Sequence, residues 1–124
     1  MPNATCTRLY ADTAGESHFE RIERPLTAVR YAPPAPPLDL SEPMPASRVS
    51  WLRFPADWSD VAHPSPRRQL FVVLSGQLEG WTSSGESRIF TAGDCVLMED
   101  TTGKGHGARP LNGETFALVI ALEE

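Results

Sequence analysis

Between residues 48 and 123 every apolar run is short and is bounded by a turn signal. "RVSWLRF" (48–54) alternates imperfectly through Val49, Trp51 or Leu52, and Phe54. "RQLFVVLSG" (68–76) is rich in β-branched and aromatic residues, and "QLEGWT" (77–82) follows directly on the Ser75-Gly76 turn. "SSGES" (83–87) is a hairpin signal, and Gly93-Asp94 marks another turn. "RIF" (88–90), "CVLM" (95–98) and "TFALVIALE" (115–123) complete the series. No stretch holds a helical period over three turns. "HFERIER" (18–24) suits a strand or a single helical turn, and periodicity does not separate the two at that length. Many short strands joined by glycine turns predict an all-β fold, either a sandwich or a barrel.

The chain has 12 prolines, crowded between Pro33 and Pro66 and beginning with "APPAPPLDLSEPMP". Proline has no amide hydrogen and is excluded from helix interiors, so residues 33–47 read as an extended connector. The expected division is an N-terminal extended segment, 1–47, packing on a barrel or on a partner subunit, and the barrel itself, 48–124. A chain of 124 residues suits one domain and can bury roughly two thirds of its unfolded surface. The run Leu70 to Leu74 is apolar at every position, which predicts a strand buried on both faces. Its second face then lies beneath another sheet or a partner, and with the proline-rich segment this predicts a homodimer.

A net charge of −5 argues against nucleic acid or an anionic membrane surface as a partner, since both need a basic face. No apolar run approaches the roughly 20 residues needed to span a bilayer. The start, "MPNATCTRLYAD", lacks the basic patch and apolar stretch of a secretory signal, so a cytoplasmic location is expected. Cys6 and Cys95 read as reduced thiols, and Cys95 as core packing. "TGKG" (102–105) is not a phosphate loop: Met98 stands where the first glycine belongs, and Gly105 follows Lys104 where Ser or Thr belongs.

Two motifs carry a resemblance. "HPSPRRQLFVVLSG" gives His63-x-Ser65, three residues, Gln69, six residues, Gly76. "GDCVLMEDTTGKGH" opens at Gly93-Asp94 and closes at His106. In these motifs, their separation and the strands between them, residues 48–122 resemble the cupin superfamily. That family's first motif is a glycine, then H-x-H, three or four residues, E, six residues, G. Its second is G, five residues, P-x-G, two residues, H. Here Ser65 stands for the second His and Gln69 for Glu. Strict counting puts Lys104 at the second-motif histidine place, with His106 two residues later. "ESHF", "APPAPP" and "EDTTGKGH" further resemble short bacterial single-domain cupins. The resemblance implies a double-stranded β-helix, or jelly-roll barrel, whose activities range from isomerases, lyases, polyketide cyclases and oxygenases to sugar-binding regulators and storage proteins.

On this reading His63, Gln69 and His106 are the candidate ligands of one divalent transition metal, Zn, Fe, Ni or Mn, with a position left open. The set has no anionic member, so its affinity is expected to be low. Without a metal, residues two apart on an extended segment share a face, so His63, Ser65, Arg67 and Gln69 are expected to point inward and Arg68 outward. Arg67 would then offer a fork to a carboxylate or enolate. His63 and His106 on opposite walls would form an acid/base pair for isomerisation, elimination or cyclisation. Lys104 either pairs with Asp100 at the mouth or enters the pocket as a base beside His106. Ser65, Phe71 and Asp100 are expected to line the substrate pocket, and His18 to lie on the surface. The expected function is an enzyme transforming a small molecule by proton transfer, with or without a metal. The alternative is a non-catalytic binding or sensor module.

Overall fold

The computed structural model describes residues 2–123. In chain order its strands are β1 (Asn3–Ala11), β2 (Ser17–Pro25), β3 (Thr27–Val29), β4 (Leu38–Leu40), β5 (Ala46–Phe54) and β6 (Gln69–Ser75), then β7 (Gln77–Thr82), β8 (Ser87–Thr91), β9 (Cys95–Met98), β10 (His106–Pro110) and β11 (Thr115–Leu122). None of the described residues is helical. The fold is therefore all-β, and "HFERIER" belongs to a strand. A six-stranded sheet runs β2-β1-β9-β6-β11-β5, a three-stranded sheet runs β10-β7-β8, and β3 pairs only with β4. The two larger sheets are open, with β2 and β5 as the edges of one and β10 and β8 as the edges of the other, so the layers form a sandwich and not one closed barrel.

The core sits between those layers. β7 shows the period-two logic plainly: Leu78, Gly80 and Thr82 are buried, while Gln77, Glu79 and Trp81 are only partly so. Leu78 and Phe90 of the smaller sheet meet Leu9, Phe71, Val73, Val96 and Ala117 of the larger. Phe19 packs edge-on against Phe90, with centroids 5.8 Å apart. Each of these large side chains contributes about 2–3 kcal/mol by leaving water. A second, smaller cluster covers the outer face of the larger sheet. Cys6, Leu97 and Leu122 form it, and Leu70, Ile120 and Met44 pack against it.

Two expectations change here. The segment 3–25 does not merely lie against a barrel. β1 is an interior strand of the larger sheet, antiparallel to β2 and parallel to β9 in the register Thr7↔Val96, Arg8↔Leu97, Leu9↔Met98. A division after residue 47 thus separates strands that share one sheet. The run 70–74 is also not buried throughout on both faces. Leu70 reaches the outer cluster, but Leu74 lies beyond it and is 43% exposed. The proline-rich stretch contributes β4, which pairs with β3 and whose Leu38 and Leu40 are exposed, and then Met44. On edge strand β5, Trp51 is 73% exposed. No helix in the described residues is long and apolar enough to cross a membrane.

Candidate functional site

A pocket of about 380 Å³ opens between the sheets, walled by apolar side chains including Leu52, Phe54, Trp58, Phe71 and Val119. His63, Ser65, Gln69 and His106 supply polar positions, together with Asp60 and Ser50. The local sequence explains how the histidines arrive there. Pro64 and Pro66 cannot donate backbone hydrogen bonds, so the alternate residues make the attachments. His63 N donates to His106 O and His106 N to His63 O, both at 2.9 Å, while Ser65 N donates to Asp100 O at 2.9 Å. This two-residue bridge sets the imidazoles side by side, with ring centroids 4.9 Å apart and planes tilted by 52°.

Each ring is fixed through Nδ1. Asp100 is wholly buried: its Oδ2 lies 2.6 Å from His106 Nδ1, and its Oδ1 accepts from Ser65 Oγ at 2.7 Å. A carboxylate only accepts, so beside it the neutral His106 ring carries its proton on Nδ1 and presents Nε2 as an acceptor. His63 Nδ1 lies 2.8 Å from the Val61 carbonyl and 3.2 Å from Asp60 Oδ1. Asp60 is itself secured, accepting from Val61 N at 2.8 Å and from Ala108 N at 2.9 Å. The His106 side chain is 8% exposed and that of His63 is 45% exposed. One imidazole is therefore interior, and the other stands at the mouth.

Several predicted positions need correction. The histidines do not face each other from opposite walls; they are bridge partners on one side. Arg67 does not point inward. Residues 66–68 form a bend between the prolines and β6, which breaks the alternation, and Arg67 is exposed beside Arg48 on an adjoining groove that shares Ser50, Gln69 and Val119 with the pocket. Arg68 points away from the pocket and donates to Glu99 at 2.6 Å, as Arg8 also does at 2.6 Å. Burial pushes the Glu99 carboxyl up, but the two guanidiniums prevail and hold it below its ordinary value. Lys104 is exposed and pairs with Glu16, not with Asp100. His106, not Lys104, reaches the pocket. Asp100 stands behind His106 and is not on the lining. Ser65, Phe71 and Gln69 do line the pocket, and the Gln69 amide nitrogen lies 3.4 Å from Met98 Sδ. Asp60 was missed from the sequence. Its signal was the spacing Asp60-Val-Ala-His63, a carboxylate three residues before a candidate histidine.

The β1–β2 turn braces this site from behind. Ser17 Oγ donates to Gly105 O at 2.6 Å, and Lys104 N donates to Gly15 O at 2.9 Å. Within that hairpin His18 Nε2 lies 2.7 Å from Asp12 Oδ2. The hydrogen bond raises His18 above 6.5 and lowers Asp12 below 3.8. A raised histidine stabilises fully below its unfolded value and loses that contribution as pH rises through the folded value. A lowered carboxyl stabilises above its unfolded value and loses that contribution as pH falls through the folded value. The pair therefore acts fully between 3.8 and 6.5. Chemical denaturation should show wild type more stable than His18→Gln at about pH 5.5, with the gap closing by about pH 9. A gap that widens on raising the pH would contradict this assignment.

No protein-family model matches the chain, and a search of curated proteins also gives no match. No group of three or more His, Cys, Asp or Glu side chains gathers as a metal site among the described residues. A three-donor set in the pocket would therefore need a donor of another kind beside the histidines, such as the Gln69 amide oxygen.

Proposed function

We propose that the protein is a cupin-type jelly-roll enzyme that transforms a small organic molecule by proton transfer in this pocket. The observation that carries the reading is the imidazole pair. Two rings 4.9 Å apart have their Nδ1 atoms engaged, which leaves both Nε2 atoms for a ligand in largely apolar surroundings. Interior His106 acts as the base toward a carbon acid, its imidazolium form stabilised by Asp100. His63 at the mouth returns a proton or exchanges it with solvent. Such chemistry serves isomerisation, elimination or cyclisation of an enolisable substrate.

The same donors fit a divalent transition metal. Imidazoles whose Nδ1 is held by a carboxylate or carbonyl are oriented as metal-ligating histidines are. His63, His106 and the Gln69 amide oxygen would hold the ion, while Ser65 is committed to Asp100. Bound there, it would polarise a carbonyl oxygen. With no anionic ligand in the set, retention would be weak.

The test is solvent-deuterium incorporation, followed by NMR, into a panel of small enolisable ketones and 2-oxo acids. Metal content is measured alongside on protein purified without chelator. Wild type should catalyse exchange, and His106→Ala should lose at least about 100-fold of it. Near-stoichiometric metal lost in both His63→Ala and His106→Ala would assign the metal-assisted form. Panel members that bind without exchanging would sink the enzyme reading in favour of a binding or sensor module. The changed ligand places, Ser65 for His and Gln69 for Glu, are the observation that favours that second reading.

A further inference from the structure

A second group of reactive side chains lies outside the pocket, where β1 meets β9. The parallel register that pairs Thr7 with Val96 sets Cys6 beside Cys95, one step earlier on each strand. Their sulfurs are 3.5 Å apart, and Cys6 Sγ lies 3.3 Å from the Cys95 carbonyl oxygen. Neighbouring strands run about 4.8 Å apart, inside the Cα separation that a disulfide spans. Core packing accounts for two apolar thiols, but not for their shared access. Both line a groove of about 240 Å³ formed by the start of β1, by β8 and by the Gly93-Asp94 turn. Arg88 and Asp94 also face that groove.

The two thiols are not equivalent. The Cys95 thiol, hydrogen-bonded to Cys6, draws the Cys6 thiol down to about 7 against the effect of burial, helped by the Leu97 backbone and the Arg24 charge. Cys95 is pushed up by the same contact with Cys6 and by its own burial. The contact thus favours the thiolate on Cys6, the more buried of the two residues, with the partly exposed Cys95 thiol as its hydrogen-bond donor.

We propose that Cys6 and Cys95 form a reversible dithiol–disulfide site whose oxidant is hydrogen peroxide or a small alkyl hydroperoxide entering this groove. The Cys6 thiolate attacks a peroxide oxygen. The S–O bond forms, the O–O bond breaks, and hydroxide or alkoxide leaves and takes up a proton. Cys95 then loses its proton and attacks the Cys6 sulfur. The S–S bond forms and the S–O bond breaks, releasing water. Two thiols are oxidised by two electrons, and one hydroperoxide is reduced to two waters, or to water and an alcohol. The new bond ties β1 to β9, the strand that leads directly into Glu99 and Asp100.

The experiment treats the fully reduced chain with stoichiometric hydrogen peroxide, then counts thiols and maps peptides. Both thiols should disappear together into one disulfide within a single chain. A thiol reductant should restore them, and the oxidised form should unfold several degrees higher than the reduced form. In Cys95→Ser the sulfenic acid should be trapped by dimedone on Cys6. In Cys6→Ser the remaining thiol should react at least about 10-fold more slowly. Separate oxidation of the two sulfurs in wild type, disulfides only between chains, or equal reactivity in the two variants would each overturn the proposal. The wild-type result stands without either variant.

Discussion

Gly105→Ala should lower the free energy of unfolding by about 3 kcal/mol or more and part the two histidines. Gly105 sits at φ +74°, where a side chain brings a cost of its own of about 1–2 kcal/mol. Its added Cβ would fall 2.0 Å from His63 C, 2.1 Å from His63 O and 2.3 Å from Pro64 N. All three are backbone atoms of the segment that bridges His106, and none can rotate aside. Relief requires moving His63 away, which breaks the paired 2.9 Å hydrogen bonds that hold the imidazoles together. Gly113 is the control. Its φ is +95°, yet an added Cβ would meet nothing within 4 Å, so Gly113→Ala carries the backbone cost alone. Urea denaturation of the two variants separates overlap from conformational preference. Equal losses would mean that the Gly105–His63 contact relaxes freely, and that the site is softer than its backbone geometry implies.

That contact also explains what the sequence did and did not reveal. The strands from β6 to β9 and β11 were legible because each is an apolar or alternating run with a glycine turn before or after it. β1 was not. Its residues Asn3, Thr5, Thr7 and Arg8 are polar, and its strand identity comes from pairing with β2 and β9, in which Leu9 meets Phe19, 10 residues on, and Met98, 89 residues on. The histidines were legible as residue types, but their relation was not. Two prolines interrupt the alternation on which the facing of Arg67 was argued. The loop between Asp100 and His106 turns on Gly103 and Gly105, both at positive φ, which delivers His106 to the bridge and leaves Lys104 outside. The hydrogen bond from Ser65 to Asp100 joins residues 35 apart, and no spacing rule announces it. The serine at a histidine's place thus looked like a loss from the sequence, whereas in the fold it completes the support of the remaining histidine.

Asp100 is where that support concentrates, and Asp100→Ala should cost about 3–5 kcal/mol, while Asp100→Asn should cost only about 1 kcal/mol. The carboxylate is wholly buried and accepts from two donors, Ser65 Oγ at 2.7 Å and His106 Nδ1 at 2.6 Å. Alanine strands both donors away from water and leaves a void where the carboxylate stood. Asparagine keeps the shape. Its oxygen accepts from His106 Nδ1, and its amide nitrogen donates to Ser65, whose hydroxyl can turn to become the acceptor. The serine therefore permits the exchange of carboxylate for amide without disturbing the imidazole. Nitrogen-15 NMR of His106 reads the consequence directly. Wild type and Asp100→Asn should both carry the proton on Nδ1, whereas Asp100→Ala should populate both tautomers. What asparagine cannot supply is the negative charge that stabilises an imidazolium, so base chemistry at Nε2 should fall by up to about 100-fold in a protein that remains folded. Equal stability of the two variants would show that Asp100 is not the buried acceptor for both partners. A wild-type proton on Nε2 would reverse the roles, making His106 the acid and leaving His63 as the only base at the mouth.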